Sequence, residues 1–384
     1  MTRSEQAHVQ ARTLSGAARG LLASALVGAL LATGAAPVQA ANKSKLTIYQ
    51  HGKPVDAPPC AANATRTSVL MGGGVDVKEA YSWMIGKMVL CDGQHGNFVV
   101  IRAGGNPSYD SFIYKLGQVA SVQTVVVPTA DAANNPDPAL ISLIRNASAI
   151  WLTGGDQGDY YNFWKGSLLE RLVSEQVRTY GIPVGGTSAG MMILSEFNYI
   201  AYPNTVNSFD ALHDPYKTDS VTLKKDFWDN GTPFSPEYYW NNRTPFPPLL
   251  NTVSDSHFDT RDRMGRLVTF LARVVRDGWA DTTVARAIGV DQETALLMEY
   301  DASADPAADA ARYTARVVAN PGVTGAAYVL SVGAGSQRIV EPGMPLTFTN
   351  VSVQKFPSSG GEKDYFINVD QGDISSTNDG GSLY

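Results

Sequence analysis

Apolar residues in this chain fall into short runs that alternate with longer stretches of helical spacing. Runs at 68–71, 98–101, 122–127, 149–152 and 182–184 are too short for helices and are bounded by turn residues, so they predict buried strands. Helical spacing predicts helices over 78–88, around Phe112, Ile113 and Leu116 with a stop at Gly117, over 137–147 behind the cap Asp137, and over a longer stretch ending at Tyr180. Continuously apolar strands alternating with helices imply right-handed crossovers. The expected fold class is therefore α/β, a mostly parallel sheet with helices on both faces. Four of the strands run into glycine pairs or triplets, at 72–74, 104–105, 154–155 and 185–186. Ligands bind beyond the carboxyl ends of strands in such sheets, so these glycines are expected around one crevice.

The rhythm breaks at 199–249, an aromatic, proline-rich insertion that includes Phe227, Trp228, Tyr238, Tyr239, Trp240 and Phe246. Its aromatic content argues against disorder, and it is expected to form an ordered flap beside the crevice. Strands at 251–254, 287–290 and 295–300 and a helix over 260–275 follow. Beyond 302 the pattern turns β-rich, with strands at 313–318, 327–332 and 346–353. The tail from 358 is rich in Gly, Ser and Asp and is expected to be mobile, while 45–65 reads as an N-terminal arm. The expected organisation is an α/β domain over 41–301 and a β-rich extension over 302–384.

Composition changes this picture mainly at the start of the chain. Arg3, Arg12 and Arg19 precede the apolar stretch 20–36, and Val38 and Ala40 supply small residues at the positions before a cleavage point. That pattern is a secretory signal over 1–40, too short to span a bilayer, so a secreted protein with no membrane segment after cleavage is expected. The 384 residues carry a formal charge of −6, which argues against nucleic acid as a partner. Cys60 and Cys91 are the only cysteines, and in an exported chain they suggest one disulfide rather than a metal site.

The chemistry centres on Gly186-Thr187-Ser188-Ala189-Gly190, which fits the G-x-S-x-G elbow where a strand turns sharply into a helix and exposes a serine hydroxyl. A serine nucleophile needs a base within hydrogen-bond reach. Of His51, His95, His213 and His257, only His257 directly follows a predicted strand, which would deliver it to the crevice.

Together with Gly154-Gly155-Asp156-Gln157, the series from Asp255 and His257 through Arg261, Arg263 and Arg266, and the segment from Gly289 to Leu296, this elbow resembles the cyanophycinases, serine peptidases of family S51. The resemblance spans roughly 68–300. It implies a flavodoxin-like fold and a secreted serine exopeptidase that hydrolyses cyanophycin, a β-Asp-Arg polymer, to dipeptides without a cofactor. By match, Ser188 would be the nucleophile and His257 the base, with the backbone N–H groups of Gly155 and Ala189 as oxyanion donors. Gln157, Asp255, Arg261, Arg263 and Arg266 would line the substrate pocket, since guanidinium forks suit the free α-carboxylates of a β-aspartyl substrate. The chain departs from the family at the acid: Gln292 stands where a glutamate is usual, and Glu293 follows it. Glu293 is the expected acid, by way of a bulge, with Asp210, Asp214 and Asp219 as alternatives. An esterase of the α/β-hydrolase kind and a catalytically dead polymer-binding protein are the competing readings, and a homodimer is compatible with the sequence.

Overall fold

The computed structural model describes residues 46–60, 66–91, 93–225, 227–228, 245–300, 313–377 and 382–384. The signal segment and the aromatics Tyr238, Tyr239 and Trp240 lie outside the described residues. The strands are β1 (Thr47–Gly52), β2 (Ser68–Met71), β3 (Gly96–Arg102), β4 (Val119–Val126), β5 (Ala147–Leu152), β6 (Val184–Thr187), β7 (Asn198–Tyr199), β8 (Leu223–Lys224), β9 (Thr252–Asp255) and β10 (Arg286–Val290). They continue with β11 (Thr294–Tyr300), β12 (Tyr313–Ala319), β13 (Ala326–Val332), β14 (Arg338–Ile339), β15 (Thr347–Pro357), β16 (Lys363–Asp370) and β17 (Asp373–Ser376).

The first sheet has the order β1-β4-β3-β5-β6-β2-β11-β12. Its central run from β4 to β2 is parallel throughout, while β1, β11 and β12 join antiparallel. Strands β2, β5 and β6 are buried along their whole length, as the unbroken apolar runs require. Alternate residues feed the two faces. Phe98, Val100, Ala149 and Trp151 meet Tyr81 and Met84 of the helix Lys78–Gly86 on one side. Val99, Ile101, Ile150 and Leu152 meet Leu140, Leu172 and Val173 on the other. The helix Leu168–Tyr180 shows how local sequence sets an element. Ser167 accepts from the Glu170 N–H, Glu170 reaches back to the Gly166 N–H, and Gly181 closes the helix at φ 60°.

A second sheet has the order β17-β16-β15-β13-β10-β9, with β14 also paired to β15. Only β9 and β10 are parallel in it. Four sequence expectations change here. The 45–65 arm contributes β1, an edge strand of the first sheet. The tail beyond 358 forms β16 and β17, whose inward residues Tyr365, Ile367 and Val369 are buried despite the polar composition around them. The stretch before Tyr180 is two helices, Gln157–Trp164 and Leu168–Tyr180, parted at Gly166, which needs φ 68°. Within the 199–249 insertion, Phe227, Trp228 and Phe246 are core rather than flap: all three are buried, and the Trp228 indole N–H donates to the Ile193 carbonyl at 2.7 Å, while Tyr202 and Phe209 are exposed.

The β-rich extension is hydrogen-bonded into both sheets, β12 to β11 and β13 to β10. Cys60 and Cys91 form a disulfide with Cα atoms 5.3 Å apart. No helix among the described residues is long and apolar enough to cross a membrane.

Candidate active site

The elbow forms as its sequence requires. Ser188 follows β6 at φ 52°, ψ −120°, a conformation that costs a non-glycine residue strain. A Cβ on Gly186 would stand 2.4 Å from the Gly190 carbonyl carbon, and one on Gly190 would stand 2.1 Å from the Leu152 oxygen. Both positions are therefore closed to any side chain. Ser188 Oγ lies 2.9 Å from His257 Nε2.

His257 arrives from the second sheet, just past β9, and the turn 291–293 joins β10 of that sheet to β11 of the first. The two sheets meet over the end of β2, where three consecutive carbonyls act as acceptors. Met71 O takes the Ser188 N–H at 3.0 Å, Gly72 O takes the His257 N–H at 2.7 Å, and Gly73 O takes the Glu293 N–H at 2.8 Å. A Cβ on Gly73 would lie 2.4 Å from the imidazole, so the glycine triplet is the space in which the base sits.

The other ring nitrogen, His257 Nδ1, lies 2.9 Å from Gln292 Oε1, which also takes a hydrogen bond from the Thr260 hydroxyl at 3.3 Å. An amide oxygen can only accept, so this contact places the proton on Nδ1 and leaves the Nε2 lone pair toward Ser188. Glu293, expected as the acid, does not reach the histidine. It adopts φ 56°, and its carboxylate accepts from Asn320 Nδ2 at 3.2 Å. The turn presents Gln292 to the imidazole and carries the next side chain away. Among the alternatives, Asp210 pairs with Lys217, and Asp214 accepts from the Tyr216 and Gly343 N–H groups. Burial lowers the His257 pKa below its ordinary value, Arg261 and Arg263 push it the same way, and Gln292 and Asp255 oppose the shift. The imidazole is thus neutral near pH 7, as a base must be.

The basic series separates into two roles. Asp255 is fully buried and takes a bidentate pair from Arg266, Nε to Oδ2 and Nη2 to Oδ1, both at 2.6 Å. Arg263 adds a third bond to Oδ1 at 3.0 Å and donates to the Ser256 carbonyl at 2.7 Å. Arg266 also donates to the Val206 carbonyl and lies over the Tyr199 ring. Asp255, Arg263 and Arg266 therefore do not line a pocket; they form a buried network beneath the histidine. Burial lowers the Arg263 pKa to about 10, which still leaves it charged at neutral pH. Arg261 alone of the three arginines is exposed.

Gln157 opens the helix Gln157–Trp164, capped by Asp156, and its amide faces Met192 Sδ at 3.9 Å. The Gly154–Gly155 loop passes close to the nucleophile, for a Cβ on Gly154 would be 3.4 Å from that of Ser188. Ala189 begins the short helix Ala189–Met192 on the other side. Thr260 and the carbonyls of 71–73 are site features that sequence reasoning missed. The glycine triplet was the signal for the second.

No family model matches the chain. It is 21% identical over 240 residues to a cyanophycinase from Geminocystis herdmanii (strain PCC 6308), covering 62% of this chain and 75% of that protein. Among solved structures, a peptidase from an acI-B1 actinobacterium aligns at 17% identity and a TM-score of 0.41, over 73% of this chain and 93% of that one. A putative peptidase E protein from Listeria monocytogenes EGD-e aligns at 12% identity and a TM-score of 0.35, over 66% and 98%. By its motifs and by its curated relative, this chain resembles the cyanophycinases.

Proposed function

We propose that this chain is a secreted serine-type exopeptidase that cleaves β-aspartyl peptide bonds, with cyanophycin as substrate and β-Asp-Arg dipeptides as products. The observation that carries the reading is the contact of Ser188 Oγ with a neutral His257 whose second nitrogen is held by Gln292. His257 Nε2 takes the Ser188 proton as Oγ bonds to the substrate carbonyl carbon. The N–H groups of Gly155 and Ala189 receive the oxyanion. The C–N bond then breaks, the proton passes to the leaving amine, and water attacks the acyl-enzyme by the reverse of the same steps. Arg261, exposed beside His257, takes a substrate carboxylate. The Cys60–Cys91 disulfide suits the oxidising compartment to which the 1–40 signal would direct the chain.

The amide in place of a triad carboxylate favours a second reading, a polymer-binding protein without turnover, because a neutral partner stabilises an imidazolium less than a charged one does. One experiment separates the two. The mature protein is incubated with cyanophycin and the products are weighed, beside Ser188→Ala and beside labelling by a fluorophosphonate. Release of β-Asp-Arg and labelling, both lost in Ser188→Ala, are expected. Polymer binding with neither would sink the hydrolase reading.

A further inference from the structure

The His257 loop is strained and poorly capped. His257 and Asp262 both sit at φ 46°, and the helix Met264–Arg276 that ends the loop has Arg263 at its N-cap with no side-chain capping bond. Two groups distant in sequence supply what the loop lacks. Ser208 Oγ accepts from the Arg266 N–H at 3.1 Å. Tyr384 Oη accepts from the Met264 N–H at 2.9 Å and donates to Asp262 Oδ1 at 2.9 Å. The Tyr384 ring packs edge-on against Phe258, the residue after the base, with centroids 5.6 Å apart. Tyr328 packs against both rings. Phe258 has nowhere to retreat: a Cβ on Gly289 would already lie 2.7 Å from it. The segment that carries Tyr384 is itself tied down, since the Tyr365 hydroxyl donates to the Leu383 carbonyl at 2.9 Å.

We infer that Tyr384 is a positioning residue for His257, through which the β-rich extension fixes the loop that carries the base and Arg261. The clamp acts at both ends of the loop: ring packing fixes Phe258 beside the base, and two hydrogen bonds fix Asp262 and the first turn of the helix. The inference rests on the hydrolase reading, since a base needs positioning only if it moves a proton. It gives the extension a part in the site although, among the described residues, the extension supplies no group that touches Ser188.

The test compares Tyr384→Phe, which keeps the rings and drops both hydrogen bonds, with Tyr384→Ala. The rate at which a fluorophosphonate labels Ser188 is followed against pH, together with amide hydrogen exchange over 257–264. The expected result is labelling slowed on the order of tenfold or more in the Ala variant, with the Phe variant between it and wild type. The acidic limb of the profile should shift up toward the ordinary imidazole value of about 6.5 as the ring gains water, and exchange over 257–264 should quicken. A folded Ala variant with wild-type labelling rate and profile overturns the role of Tyr384 and leaves the hydrolase reading standing. Loss of melting temperature with an unmoved profile overturns it equally, because that is what mere packing would give. A wild type that does not label overturns the hydrolase reading, and this inference with it.

Discussion

The two sides of the candidate site are built in different ways. On the Ser188 side, five consecutive residues do almost everything: two glycines allow the crossing, the serine takes the strained corner, and the next N–H groups lie where the chain turns. On the His257 side, a neighbouring network is joined by groups from distant parts of the chain. The base is held by the Gly72 carbonyl, the Gln292 amide, a buried Asp255–Arg263–Arg266 network and Tyr384, gathered from both sheets and nearly the whole chain. A nucleophile made by local sequence tolerates little substitution but depends on few partners. A base assembled over long range can fail in many places.

That contrast can be attacked first at the buried network. Arg266→Ala would leave Asp255 a buried carboxylate with one partner fewer, and removing one member of a buried pair typically costs about 3–5 kcal/mol. A large drop in unfolding free energy by urea titration is expected. Arg261→Ala should leave stability within about 0.5 kcal/mol, as for most exposed positions, and raise KM on β-aspartyl substrate. If the two variants behave alike, the division into a buried and an exposed role is wrong.

The next test sharpens the base itself. Gln292→Glu places a carboxylate against Nδ1, which should raise the His257 pKa and increase kcat about tenfold or more, since an acid behind the histidine is worth orders of magnitude in serine proteases. Glu293→Gln, one residue along, should leave kcat within a few-fold. The reverse pattern would show that the turn rearranges when substrate binds.

The last effect lies just before Gln292 in the chain and bears on stability alone. Asp291 accepts from the Ala326 N–H at 2.8 Å, and burial, with the Asp259 charge adding to it, pushes its pKa up to about 7. A raised folded-state pKa means stability that is full below the unfolded value of about 4 and is lost as pH rises toward 7. Urea midpoints for wild type should thus fall between pH 4 and 7 relative to Asp291→Asn, and the two curves should run parallel above pH 7. A wild type whose midpoint rises relative to the Asn variant over that interval would contradict the shift.

The same contrast explains what could be read from the sequence. The parallel strands at 68–71, 98–101, 149–152 and 182–184 stood out because burial on both faces makes them apolar without interruption. Ser188 stood out because its elbow is local, and His257 because it directly follows a strand. The roles of Arg263 and Arg266 were not readable: two and five residues past Arg261, they differ from it only in which way a turn with a left-handed residue at Asp262 points them. Gln292 against Glu293 turned on the same kind of one-residue backbone choice. Strands β16 and β17 were missed because their polar residues face outward and dominate the composition, although Tyr365, Ile367 and Val369 alternate inward.

The three carbonyls at 71–73 work as a ruler. Nucleophile, base and the turn beside the base each hang on one successive mark, so their spacing is inherited from three consecutive peptide units where β2 gives way to the glycine bend. Substituting side chains around the glycines leaves that spacing alone, because none of them is part of the measure. A side chain on Gly72 or Gly73 itself would collide with Asp291 or the imidazole, and inserting or deleting a residue in this stretch would displace the base and the turn beside it relative to the nucleophile at one stroke. The site can therefore vary widely in the groups that surround it while the register of its reacting atoms is kept by main chain alone.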